Sequence, residues 1–466
     1  MGAMHVGESA EPLAMAEARA RARAVLWVRN GAVLGALGAA GLLLYGAART
    51  ADRGPAGVLL AALASAIVAV LAWVALDLAC VRRSGVPALD LDAADAPELH
   101  EMVRGLAEEL DVPVPDGIRL CPECDSWLEP DPHRPRDTVL VIGAPFLWWL
   151  RVGELRALLA PVVAGTAVSG TPAVSAARRW VRRLDAVADV RRPLGPTPLR
   201  PARRVSRAFA RQLLGLCRGH AELMERDIAV GAATLATPLD PELRATAHEQ
   251  VGLAYAGWDR LLTRLAAPAW TLGRRPDALM GGVVSALDEL SRRDRLADAF
   301  GARLAERPAS DLLVDAVRMD AEVSRLAADV FADGPTPKPV AWADYPRAVI
   351  EPVWRARAEH FAAPVDHALH VLRDAPGDRA AAEAHRAAAE HLFAVVACAA
   401  LDTGRMHPAV DWLDGPVLVD AHGNAADLAT LVTRAVDEGN DAPLRAWLAR
   451  IGIPTREPVH PGGSAA

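Results

Sequence analysis

Two long uncharged stretches near the N-terminus dominate the hydrophobic pattern of the chain. Residues 31–48 and 57–76 contain no charged side chain, and a short polar segment, RTADRGP, separates them. Each stretch has about the length that a helix needs to cross the ~30 Å hydrocarbon core of a bilayer. Gly31 and Gly35 stand one helical turn apart, a spacing that lets neighbouring helices approach closely. The pattern predicts a transmembrane helical hairpin over residues 25–83.

The arginines around the two spans predict the orientation of the hairpin, because cytoplasmic flanks carry the excess of Lys and Arg. We expect a multi-pass protein of the cell inner (plasma) membrane, with both termini in the cytoplasm and residues 1–24 as a cytoplasmic tail. The arginines that carry this prediction lie outside the two spans (Arg19, Arg21, Arg23, Arg29, Arg82 and Arg83), against Arg49 and Arg53 in the turn.

After the hairpin, the apolar residues are spaced as in the helices and strands of a folded domain. Apolar residues recur at helical spacing from Leu99 to Leu110, and Asp95 stands where an N-cap is expected. Short apolar runs at residues 117–121 and 138–147 predict strands. The following stretch, VGELRALLAPVVAGTAV, is mostly apolar on all sides and predicts a buried helix.

The remainder of the chain predicts helices with few interruptions. The segment GPTPKP, residues 334–339, predicts a linker, and residues 416–424 predict a strand and a turn. The last residues, 456–466, predict a disordered tail. We therefore expect a mainly α (α+β) fold, with one domain over residues 90–333 and a helical C-terminal region over residues 340–455.

The composition narrows the functional classes. Hydrophobic residues make up 52% of the 466 residues, and the net charge of −7 argues against a nucleic-acid-binding protein. The Ala, Gly, Pro and Arg excess suggests a GC-rich bacterial genome. The five cysteines are too few for a disulfide framework. Cys121 and Cys124 form a single C-x-x-C without a second ligand pair, which favours ordinary loop cysteines over a structural zinc site or a redox pair.

The order of elements over residues 25–300 resembles the HtpX-like family of membrane-anchored zinc endopeptidases, whose relatives include the CaaX prenyl proteases. The resemblance rests on the hairpin, on PELHEMVRGLAEELDVPVP, on TVLVIGAPFL and on ELRALLAPVVAGTAV. It implies a zincin-like helical domain with a small β-sheet. It also implies a helix with the motif H-E-x-x-H, whose two His bind zinc and whose Glu activates the metal-bound water.

The residues that would perform this chemistry are replaced. In the register of the motif, Pro161 and Gly165 stand at the two His positions, and Val162 stands at the Glu position. The family's third ligand, a Glu on a later helix, corresponds to Leu223, with Glu222 one residue away. One residue turns a helix by about 100°. No catalytic or metal-binding residue is therefore expected, and Pro161 and Gly165 predict a bent or broken helix.

A relocated zinc site is the alternative, since other His and Glu residues lie on later helices. Their helical, charge-rich surroundings favour solvated faces over metal ligands. The candidate ligands are His220, Glu222, His248, Glu249 and the group from His360 to His391, which also contains His367, His370 and His385.

An arginine-rich segment follows the motif helix. Residues 178–218 contain twelve Arg against Asp185 and Asp189. Two interpretations have equal weight: a surface that lies on anionic lipid headgroups, or a solvated linker and helix. The membrane-surface candidates are Arg178, Arg179, Arg182 and Arg183.

From these observations we predict a membrane-anchored, metallopeptidase-like protein that is catalytically inactive and acts as a binding scaffold or regulator. Its expected partners are the lipid bilayer and a protein client or an active paralogue, with no nucleic acid and no cofactor. The alternative is an active zinc metalloendopeptidase of membrane proteins with non-standard ligands and zinc as its cofactor. A third possibility is a purely structural membrane protein.

Overall fold

A computed structural model gives the fold of the chain and confirms that it is mainly helical, with small sheets and with helix over 71% of the residues that it describes. The chain divides into two compact units. The first consists of Met1–Gly143, Leu150–Glu249 and Asp311–Val314, and the second of the remaining segments. The structure describes residues 7–50, 55–80, 87–131, 134, 137–169, 171–189, 200–237, 239, 241–293, 303, 305–332, 334–360, 378–412 and 414–453.

The first unit begins with two long apolar helices, α1 (Gly7–Arg49) and α2 (Pro55–Cys80). They contain the two predicted spans. Three helical stretches in the described part of the chain are long and apolar enough to cross a membrane: Ala14–Arg49, Pro55–Cys80 and Val152–Ser169. The most apolar windows of the first two are only 11% buried, whereas that of the third is 61% buried. The apolar side chains of the third stretch therefore pack mostly against other parts of the protein, whereas most of those in the first two are exposed.

Helix α1 is longer than a membrane span. At about 1.5 Å per residue its 43 residues extend for roughly 65 Å, about twice the thickness of a hydrocarbon core. Residues 7–24, which the sequence assigned to a tail, are helical and continuous with the span. Ala18 and Ala22 on this part of α1, and Val25 just after it, are fully buried in a core that also includes residues of α2 and of later helices.

A four-stranded sheet follows the hairpin in the order β1-β2-β4-β3. Its strands are β1 (Leu89–Leu91), β2 (Gly117–Cys121), β3 (Ser126–Pro130) and β4 (Thr138–Gly143), with β2 and β4 parallel and the other two pairings antiparallel. The predicted strand at 117–121 is confirmed. Helix α3 (Pro97–Glu109) is also confirmed, although its N-cap is Ala96 and not Asp95.

The predicted strand at residues 138–147 is too long. Strand β4 ends at Gly143, and the apolar run continues as helix α4 (Ala144–Trp149), whose six residues are all buried. Gly143 lies against the turn after β2, where an added Cβ would be 2.3 Å from the carbonyl oxygen of Glu123. Only glycine fits this approach, so the strand ends where the turn crosses it.

Further helices complete the first unit, and the last of them continues into the second. They are α5 (Val152–Ala164), α6 (Thr166–Ser169), α7 (Pro172–Ala188), α8 (Arg200–Leu235) and α9 (Pro241–Arg260). Helices α7 and α8 pack on α1 and α2, and α5 packs on α3 and α8.

The second unit is helical with two small two-stranded sheets. Its elements after α9 are a π-helical turn (Leu261–Ala266), α10 (Ala267–Thr271), β5 (Arg274–Pro276), α11 (Met280–Arg293), a 3-10 turn (Ala309–Leu312) that the unit boundary crosses, α12 (Ala316–Phe331), β6 (Lys338–Val340), a second π-helical turn (Pro346–Ile350), α13 (Glu351–His360), α14 (Asp378–Asp402), β7 (Met406–Asp411), β8 (Gly415–Asp420), α15 (Leu428–Asp437) and α16 (Ala442–Arg450). Strand β8 and its turn confirm the strand and turn expected at residues 416–424; their antiparallel partner β7 was not predicted.

Both π-helical turns precede a proline in a helix that continues. Pro268 and Pro352 lack an N–H, and a proline ring clashes with the carbonyl four residues earlier. The wider turn relieves this clash, because Ala267 and Glu351 donate to carbonyls five residues back instead of four. The carbonyl of Ala348, four residues before Pro352, accepts from Arg274 Nη1 at 2.9 Å.

A buried tyrosine connects the two π-helical turns. Tyr345 is 1% exposed, and its hydroxyl donates to the carbonyl oxygen of Leu265. Burial raises the pKa of Tyr345, so the hydroxyl keeps the proton that it donates. The hydrogen bond therefore satisfies a polar group inside the core of the second unit.

We expect Tyr345→Phe to lower the free energy of unfolding by about 1–2 kcal/mol, because a buried carbonyl loses its donor. The measurement is the midpoint of thermal unfolding of the purified protein in detergent. Tyr255→Phe is the matched control, since Tyr255 is 61% exposed and should change the midpoint little. Equal midpoints for the two variants would contradict the role of the Tyr345 hydroxyl.

Candidate functional site

The helix that the resemblance aligns with a metal-binding helix, α5, has one face that is packed in the protein core. Helix α5 begins with a reciprocal cap, in which the backbone N–H of Arg151 donates to Glu154 Oε2 at 2.8 Å. Leu155, Leu159 and Val163, spaced four residues apart, are fully buried. Residues at this spacing share one face of a helix, so this face of α5 is occupied by apolar packing.

The two residues that the resemblance aligns with the His ligands, Pro161 and Gly165, lie where this helix ends. Pro161 is inside α5 and is half-buried, as is Val162. The N–H of Gly165 donates to the carbonyls of Pro161 and Val162 at 3.3 and 3.1 Å, and the chain resumes as α6 after Gly165. The predicted break is therefore present. A Cβ at Gly165 would lie 3.0 Å from the carbonyl oxygen of Val162, so a larger ligand side chain fits there only if the backbone or Leu128 shifts.

The residue that the resemblance aligns with the third ligand, Leu223, lies on an exposed face of α8. Leu223 is 37% exposed and Glu222 is exposed, whereas the neighbouring Met224 and Ile228 are buried in the core. His220 and Asp227 are half-buried on the same helix, and each has one side-chain atom without a hydrogen-bond partner among the described residues.

The other candidate ligands are separated from one another. His248 and Glu249 are exposed on α9, and His248 Nδ1 pairs with the carbonyl oxygen of Arg244 at 2.8 Å. His391 is buried, and its Nδ1 lies 3.2 Å from the carbonyl oxygen of Arg357. Over the described ranges, no three His, Cys, Asp or Glu side chains come together at a distance suited to one metal ion. The side chains of His360, His367, His370 and His385 lie outside the described residues.

The C-x-x-C pair begins at Cys121, the last residue of β2, and continues into the turn that Gly143 packs against. Cys121 is buried and Cys124 is half-buried. Burial raises the pKa of each thiol to about 12. Both groups are therefore protonated thiols at neutral pH, and a nucleophilic or metal-binding cysteine needs the thiolate.

Arg178 and Arg182, which the sequence predicted to lie on a membrane surface, form ion pairs within the protein. Arg178 on α7 donates to both carboxylate oxygens of Glu225 at 2.8 and 2.5 Å and to the hydroxyl of Ser169 at 2.9 Å. Its side chain is only 11% exposed. Arg182 donates to Glu129 Oε2 at 3.3 Å. Arg179 and Arg183 are half-buried.

Glu129 is the centre of a charge network that the sequence did not reveal. Its side chain on β3 is 6% exposed and lies between Arg182 and Arg119, whose Nη1 is 3.6 Å from Oε1. Arg119 also pairs with Asp90 on β1. Burial lowers the pKa of Arg182, and Glu129 opposes that shift. The network ties α7 to the sheet.

The comparisons with known proteins give no family for this chain. No family model matches it, and neither a curated protein nor a solved structure is significantly similar to it. The resemblance described above therefore rests on its residue pattern alone.

We expect Glu129→Gln to lower the free energy of unfolding by about 2 kcal/mol, because Arg182 loses its carboxylate partner and Arg119 keeps only Asp90. The midpoint of thermal unfolding in detergent is the measurement. Glu101→Gln is the control: Glu101 pairs with Arg104, but both side chains are exposed, and such pairs contribute little. A Glu129→Gln midpoint equal to that of Glu101→Gln would refute the structural role of the network.

Proposed function

We propose that this protein is a membrane-anchored, catalytically inactive relative of the HtpX-like metallopeptidases and acts as a binding scaffold or regulator. One observation carries the proposal. Pro161, Val162 and Gly165 occupy the register of the metal ligands and the base, on a helix that is packed as core.

The chemistry of these side chains supports the absence of peptidase activity at α5. A catalytic zinc needs three protein ligands and an open position for water, and a base must accept the proton of that water. Proline, valine and glycine side chains supply neither a lone pair nor a proton acceptor. Leu223 has the same limitation at the third position, and the adjacent Glu222 projects from an exposed part of α8.

The N-terminal helices support a role at a membrane surface. Large apolar side chains of α1 and α2 are exposed along the predicted spans, for example Leu34 at 65% and Leu59 at 70%. The same α1 continues into the core of the first unit, which holds that unit next to the bilayer. A scaffold placed there meets membrane proteins and their exposed termini, and the arginine flanks favour the cytoplasmic face of the plasma membrane.

The first test is the metal content of the full-length protein, purified in detergent without chelator and without a His tag. Elemental analysis should give zinc far below one atom per chain. Close to one zinc per chain would contradict the proposal and favour the active-enzyme alternative. His220→Ala and His248→Ala would then identify the ligands by loss of zinc.

The second test addresses binding. A client or an active paralogue should co-purify with the chain at a fixed ratio after cross-linking in native membranes and gel filtration in detergent. Mass spectrometry identifies the bound protein, and a membrane protein of similar size, treated in the same way, is the control. No protein above the control level would refute the scaffold role and leave the purely structural one.

A further inference from the structure

A groove of about 500 Å³ opens where the hairpin meets the helices of the first unit. One wall comes from α1 and α2 and includes Val33, Leu34 and Leu71. The opposite wall comes from α7 and α8 and includes Trp180 and Phe209. Most of its lining is therefore apolar and aromatic.

The groove lies at the level where α1 passes from protein core to exposed apolar surface. Val25 is fully buried, whereas Leu34, about two and a half turns later, is 65% exposed. On α2, Leu78 is 6% exposed and Leu63 is 50% exposed, so the same transition occurs there. In an inserted protein this level corresponds to the headgroup region, where Trp side chains are also enriched.

Two arginines face this apolar groove. Arg29 of α1 and Arg183 of α7 both line it, and no Asp or Glu lines it among the described residues. Arg29 Nε donates to Asn30 Oδ1 at 3.0 Å. Arg183 has neither an ion pair nor a hydrogen bond with any residue that the structure describes, in contrast to Arg178 and Arg182, which bind Glu225 and Glu129.

This combination defines the chemistry of the occupant. Two guanidinium groups favour a phosphate, which accepts several charge-assisted hydrogen bonds. The apolar wall of Val33, Leu34 and Leu71 continues onto the exposed surface of the spans, which favours acyl chains over a soluble anion. We propose that the groove binds one anionic phospholipid, with its phosphate between Arg29 and Arg183 and its acyl chains along the hairpin. Lipid binding in this groove rests on the proposed membrane anchorage of the hairpin and is independent of peptidase activity.

The test is lipid binding by the full-length protein in detergent, measured by native mass spectrometry during titration with dioleoyl phosphatidylglycerol or dioleoyl phosphatidylcholine. The double variant Arg29→Gln/Arg183→Gln should weaken binding of the first phosphatidylglycerol by about tenfold or more, because each basic residue near an anionic headgroup contributes severalfold. Phosphatidylcholine should bind the wild type more weakly and respond little to the double variant.

Arg211→Gln is the matched control, because Arg211 is exposed on α8, does not line the groove and carries the same charge. It should change the affinity for phosphatidylglycerol less than twofold, that is by about 0.4 kcal/mol or less. Equal losses in the control and the double variant, or equal wild-type affinity for both lipids, would overturn the proposal.

A second variant keeps the test decisive if the double variant does not fold. Ala75→Phe adds bulk to the groove without changing any charge, at a residue that is exposed on α2. It should reduce the first phosphatidylglycerol adduct while leaving the midpoint of thermal unfolding near that of the wild type. Undiminished binding in a folded Ala75→Phe protein would show that the lipid binds elsewhere.

Discussion

The first unit depends on one feature of α1: its early turns place one face in the protein core, whereas most of the large apolar side chains further along the helix are exposed. Ala18 and Ala22 are fully buried in the core shared with α7 and α8, and Leu34 and Leu42 further along the same helix are exposed. Because a continuous helix resists bending, the core is joined to the predicted span without a flexible linker. The tilt of the span in a bilayer therefore sets the tilt of this core.

The arginine-rich helix α7 stabilises this arrangement and also supplies its unbalanced charge. Arg178 and Arg182 are neutralised by Glu225 and Glu129, so they hold α7 against α8 and against the sheet. Arg183 on the same helix faces the groove instead. Neither sequence interpretation of this segment, a surface on anionic lipid headgroups or a solvated linker and helix, included these ion pairs.

Local patterns predicted elements wherever one residue type or one period dominated. The two apolar helices, helix α3 and strand β2 were predicted correctly, because each has a clear length or period. The apolar run at 138–147 was assigned wholly to a strand, since a short apolar run does not distinguish a strand from a buried helix. Strand β3 was missed because it is an edge strand that ends in Pro130 and lacks a regular alternation.

The sequence by itself determined the apolar spans and the absence of ligand side chains at Pro161, Val162 and Gly165, because both follow from residue identity at consecutive positions. Only the tertiary structure decided which arginines of α7 are neutralised and where a groove forms. Arg178 and Arg182 lie 47 and 53 residues from their carboxylate partners. Pairings over such distances depend on how helices and strands pack, and a local pattern does not encode that packing.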